Sequence, residues 1–124
     1  MSESAIRFID PPVPNERLLA YEISGDFTGD DMRTFVGRLE KIANSGDKAL
    51  LYQDMVDRGS FDFETIKVKI QNLGTIWRSV EKIAIVGDAR WLEIYIGIVD
   101  HLTPQQMKYF DRAEKDEAFA WLTG

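Results

Sequence analysis

The sequence predicts an α/β domain with a mixed, mostly parallel sheet of four to five strands and about four helices, in the order β-β-α-β-α-β-α-β-α. Three observations predict it. Short β-type runs alternate with longer helical runs, the pattern of a parallel sheet with crossover helices. "KIAIVGD" sets four apolar residues between a charge and a Gly-Asp turn, as expected of a strand buried on both faces. Met32, Phe35, Val36, Leu39, Ile42 and Ala43 recur at helical spacing and form one apolar stripe. At 124 residues the chain makes one domain, large enough to bury roughly two-thirds of its unfolded surface without metals or crosslinks.

In chain order, "AIRFID" is a short strand stopped by Pro11 and Pro12, and "RLLAYEIS" is a second, with Leu19, Tyr21 and Ile23 alternating against Ala20 and Glu22. The stiff loop "PPVPNE" makes the two a hairpin. Thr28 caps the first helix, Asp31 favours the positive end of its dipole, and "NSGD" ends it. "KALLYQD" is the third strand. An acidic loop, "DMVDRGSFDFE", leads to a helix over 63–78 with Phe63, Ile66, Ile70, Leu73 and Trp77 on one face. After "KIAIVGD", the run 89–99 is helical until "LTP" stops it. "QMKYF" is the fifth strand, and "DRAEKDEAFAWL" is a final helix with Ala113, Ala118, Trp121 and Leu122 facing inward.

Composition removes several functions. The absence of cysteine excludes thiol catalysis, disulfides, zinc-thiolate sites and iron–sulfur clusters, and suits a reducing cytoplasm. A net charge of −6 speaks against nucleic acid, whose binding requires a basic field. Within 66–90, however, Lys67, Lys69, Arg78, Lys82 and Arg90 face only Glu81 and Asp88, a local +3. Such a zone is either a solvated face or a contact for an anionic ligand or lipid headgroup. "MSESAIRFIDPP" reads as no signal peptide, and no apolar run reaches the 18 or so residues of a spanning helix. The expectation is a cytoplasmic protein, with the inner membrane face as a peripheral location.

Two stretches resemble a known family. Ile83, Ala84, Val86, Gly87, Asp88 and Trp91 match one element of the SpoIIAA-like group of the STAS superfamily. Tyr109, Phe110, Glu117, Ala118, Trp121 and Leu122 match its closing strand and helix, and "YEISGDFTGDD" and "LLYQDM" agree more loosely. The resemblance implies a STAS-like mixed sheet with a superhelical β/α arrangement, related to the lipid-binding CRAL-TRIO fold. It also implies an apolar-ligand or peripheral membrane role, with helices that open away from the sheet. The anti-sigma-factor antagonists of this superfamily carry a phosphorylatable Asp-Ser-Ser-Gly-like turn after the third strand. Here the region reads "RGSFDFETI", and Ser60 lacks that context.

No residue set reads as catalytic. His101 beside Asp100 has no serine near it in sequence, and a helix-terminal His complements the dipole equally well. Asp54, Asp57, Asp62 and Glu64 form an acidic loop whose spacing is not that of a calcium loop, so no metal is expected. No glycine-rich phosphate loop or other cofactor motif appears. Asp88 reads as a helix cap, or with Arg90 as the anchor of a polar ligand group.

The most unusual stretch is Trp91 to Val99, with Glu93 its single charge. Trp91, Leu92, Tyr95, Ile96 and Val99 share one helical face, while Ile94 and Ile98 lie off it. Burying those two isoleucines is worth about 3–5 kcal/mol, so a second surface has to cover them. Core packing, a homodimer contact, a pocket lid and a membrane contact all satisfy that requirement. The sequence reading is a non-enzymatic domain that binds an apolar or amphipathic small molecule, with the pocket formed by Phe63, Ile66, Ile70, Leu73, Trp77, Asp88, Arg90, Trp91, Tyr95 and Ile98. Lys67, Lys69 and Arg78 would meet an anionic membrane surface as the 63–78 and 89–99 helices move outward. The alternative is a protein-interaction module using the 89–99 helix for a homodimer or another partner.

Overall fold

A computed structural model describes residues 6–12, 14–24, 29–56, 79–88 and 106–124. They form strands β1 (Ile6–Phe8), β2 (Leu18–Ile23), β3 (Ala49–Met55), β4 (Val80–Gly87) and β5 (Gln106–Asp111), with helix α1 (Gly29–Asn44) between β2 and β3. A 3-10 turn (Arg112–Glu114) then leads into helix α2 (Lys115–Thr123). The mostly parallel, five-stranded sheet is as expected. Two α-helices are present among the described residues, not about four. The expected helices over 63–78 and 89–99, and the expected Thr28 cap, fall outside the described residues.

The sheet order is β1-β2-β3-β4-β5. β1 runs antiparallel to β2, with Ile6 opposite Ile23 and Phe8 opposite Tyr21, so the expected hairpin forms. β2 through β5 are parallel to one another. Glu81 is an extra residue where Ala49 pairs Val80 but Leu50 pairs Lys82. This bulge turns Glu81 outward, where its carboxylate lies 3.1 Å from Arg17.

Side chains alternate across the sheet, and both faces are buried. On one face Leu19, Tyr21, Ile23, Leu51, Met55 and Ile83 meet Phe35 and Leu39 of α1. On the other, Leu18, Ala20, Leu50, Tyr52, Ala84, Val86 and Phe110 meet Ala118 and Leu122 of α2. This explains why β3 and β4 read as nearly continuous apolar runs rather than alternating ones. The helix α1 stripe packs as expected through Phe35, Val36, Leu39 and Ile42. Gly46, at φ 90°, follows the helix and donates its amide to the Ala43 carbonyl at 3.0 Å.

The final helix differs from expectation. Ala113 is exposed, because the first three residues after β5 wind at the 3-10 pitch and lose phase with α2. Phe119, absent from the expected inward set, instead stacks on Tyr52 with ring centroids 4.0 Å apart.

Candidate functional site

Asp54 is the one charge in "ALLYQDM", and strand alternation places it on the α2 face beyond Leu50 and Tyr52. It is 1% exposed. A buried carboxylate needs partners, and the chain supplies them from beyond β5. Asp111 accepts from the Arg112 amide at 2.7 Å, and Glu114 accepts from the Asp111 amide at 2.9 Å. This capping box turns the chain back over the sheet. One Arg112 nitrogen then donates to Asp54 Oδ1 at 2.7 Å, and the other to the Met55 carbonyl at 2.5 Å. Lys115 Nζ lies 3.3 Å from Asp54 Oδ2. Asp54 was expected at the junction of the third strand and an acidic loop; it lies within β3, and its carboxylate is taken up by cations.

The other end of α2 is pinned too. Lys82 Nζ donates to the Trp121 carbonyl at 3.0 Å and stands 5.3 Å from the Trp121 ring centroid. A cation there complements the negative end of the helix dipole. Trp121 is half-buried and tilts against Phe110 at 5.9 Å. Along the flank of α2 runs a groove of about 350 Å³, lined by Pro12, Leu18, Asp116, Phe119, Ala120 and Thr123. Beneath α2, burial raises the Tyr52 phenol above its ordinary range; Asp54 adds to this and Arg112 opposes it.

The SpoIIAA-like family model matches residues 18–123, running from β2 to the last residue of α2. The chain belongs to the SpoIIAA-like family. The described sheet is that of a STAS-type domain, and such domains are as a rule regulatory or protein-interaction modules rather than enzymes. No curated protein matches the chain.

In this SpoIIAA-like domain the expected pocket residues Phe63, Ile66, Ile70, Leu73, Trp77, Arg90, Trp91, Tyr95 and Ile98 lie outside the described residues. So do the expected headgroup contacts Lys67, Lys69 and Arg78, as well as His101, Asp57, Asp62 and Glu64. Asp88 is described: it is exposed at the end of β4, and its carbonyl accepts from the Tyr109 hydroxyl at 2.6 Å. Burial, then the nearby Asp111 and Asp88 carboxylates, raises the Tyr109 pKa.

At the carboxyl edge of the sheet Arg112 and Lys115 cover Asp54. Among the described residues no three His, Cys, Asp or Glu side chains group as metal ligands, and no helix is long and apolar enough to cross a membrane.

The sequence reading missed the Asp54–Arg112–Lys115 group. The available signal was a lone carboxylate interrupting an otherwise apolar strand, which calls for a cation from elsewhere in the chain.

Proposed function

We propose that this domain is a non-enzymatic protein-interaction module, and that its partner docks in the groove beside α2. The observation that carries this reading is the groove itself. Its floor and walls are largely apolar, through Pro12, Leu18, Phe119 and Ala120, and Asp116 stands at its edge. The chain carries −6 overall, and the local +3 lies at 66–90, so the remainder is more acidic still. A partner segment with an apolar side chain flanked by Lys or Arg complements such a surface, the apolar group giving affinity and the charges steering approach.

Ala120→Arg tests it, because Ala120 is exposed and its replacement leaves the core intact. A protein retained by the wild-type domain is purified and titrated against both forms, with circular dichroism checking that both are folded. The variant is expected to bind at least about tenfold more weakly, about 1.4 kcal/mol. Equal affinity would move the partner site off this groove.

A second reading, an apolar or amphipathic small molecule held at or near a membrane, is favoured by the Trp91–Val99 run and the local +3. Native mass spectrometry separates the two: a mass lost on denaturation supports a bound small molecule, and a bare chain counts against it. Retention on vesicles of anionic lipid tests the membrane contact, and absence of retention rejects it.

A further inference from the structure

We infer that the groove beside α2 is an arginine seat, in which a partner's guanidinium lies on the Phe119 ring and pairs with the Asp116 carboxylate. The inference rests on the docking reading above and fixes the chemistry of what docks.

Three aromatic rings of this fold already carry a cation of the chain itself. Arg38 stands 4.3 Å from the Phe8 centroid, Lys108 5.1 Å from that of Phe110 and Lys82 5.3 Å from that of Trp121. Among the described residues, no cation sits on Phe119. Glu22, Asp30, Asp54 and Glu81 each meet a basic side chain, whereas Asp116 meets none among the described residues. Phe119 and Asp116 both line the groove. They are three residues apart in α2 and so neighbours on one helix flank. A ring and a carboxylate side by side, each without a cation, form the two halves of a guanidinium site.

The seat is held in place. Phe119 stacks on Tyr52 with ring centroids 4.0 Å apart and planes 13° from parallel, which fixes its ring plane and leaves its other side to the groove. Arg112 and Lys115 hold one end of α2 on Asp54, and Lys82 holds the other end through the Trp121 carbonyl. A ligand therefore meets a preformed surface and no helix has to move. The cations close in sequence are committed elsewhere. Lys115 is turned to Asp54, and Arg17, past the loop that carries Pro12, is engaged by Glu81 and the Lys48 carbonyl. That loop adds two exposed acids, Asp10 and Glu16.

The geometry suits arginine better than lysine. A planar guanidinium lies flat on a ring while its N–H edge reaches a carboxylate, whereas an ammonium is a compact, strongly hydrated point charge. The aliphatic stem of the arginine and a neighbouring apolar side chain pack against Pro12, Leu18 and Ala120. The occupant is thus a protein segment that sets an arginine close to an aliphatic residue.

Nuclear magnetic resonance titration of the full chain tests this with acetyl-Leu-Gly-Arg-Gly-Leu-amide and its lysine and citrulline analogues. Citrulline keeps the shape of arginine without its charge. The arginine peptide is expected to shift the Leu18, Phe119 and Ala120 amides. It is also expected to bind at least about fivefold more tightly than the citrulline peptide, with the lysine peptide between them. Asp116→Asn and Phe119→Leu are each expected to bring the arginine and citrulline peptides within about twofold of each other. Should Phe119→Leu not fold, Asp116→Asn carries the test, since Asp116 is exposed. Equal binding of arginine and citrulline by the wild type, or a preference that survives Asp116→Asn, overturns the arginine seat and leaves the docking groove standing. No shift at those amides with any of the three peptides overturns both.

Discussion

Arg112 donates to Asp54 at 2.7 Å across 58 residues of chain, joining the turn after β5 to the buried end of β3. The pair is asymmetric, because Asp54 is enclosed while Arg112 keeps a solvent-facing edge.

That asymmetry ranks three substitutions. Among the described residues, Arg112→Ala leaves the buried carboxylate with Lys115 at 3.3 Å as its remaining ion-pair partner, and it also takes the Arg112 donor from the Met55 carbonyl. It is expected to cost about 2–3 kcal/mol. Asp54→Asn frees cations that water can rehydrate, and about 1–2 kcal/mol is expected. Lys115→Ala removes the longest and most exposed contact, and less than about 1 kcal/mol is expected. Urea unfolding of the three variants checks the order.

Tyr21 is buried, and its hydroxyl donates to Gln53 Oε1 at 2.9 Å. Tyr21→Phe is expected to cost about 1 kcal/mol, because Gln53 loses its donor. The same denaturation assay reads it out.

Burial pushes both Tyr21 and Tyr52 above the ordinary phenol value of 10.0. The folded state therefore keeps phenolic protons that the unfolded chain releases above that value. Stability from these groups is complete below the unfolded pKa and declines as pH rises above it. A decline approaching about 1.4 kcal/mol per pH unit for each tyrosine is expected. Urea midpoints in steps from neutral to strongly alkaline pH measure it.

Gly46 lies at φ 90°, and a methyl group there would meet open space. Gly46→Ala is expected to cost about 1 kcal/mol through backbone conformation alone. A lowered thermal midpoint with an unchanged circular dichroism spectrum checks it.

Leu51 is enclosed between the sheet and α1, whereas Val56, just past β3, is 48% exposed. Leu51→Ala is expected to cost about 3 kcal/mol, and Val56→Ala to stay within about 0.5 kcal/mol. The pair calibrates the other substitutions.

Periodicity carries whatever depends on near neighbours along the chain. The α1 stripe, the apolar β3 and β4 runs and the turn at Gly46 follow from local spacing and backbone chemistry, and each lies close to its expected place. The hairpin is legible because two short strands flank one stiff, proline-rich loop. Ala113 shows where local reading ends: a 3-10 turn and an α-helix look alike over three residues, and only the capping box set by Asp111 and Glu114 chooses between them.

The sequence by itself determined the strands, the mostly parallel sheet and the family, because each depends on residue order and spacing at short range. Only the tertiary structure decided that the strand order runs without reversal, that α2 closes the face opposite α1, and that Asp54 is an anchor rather than a loop acid. Those outcomes depend on which residues meet across dozens of intervening positions. A charge such as Arg112 carries no local mark of the distant carboxylate it will satisfy.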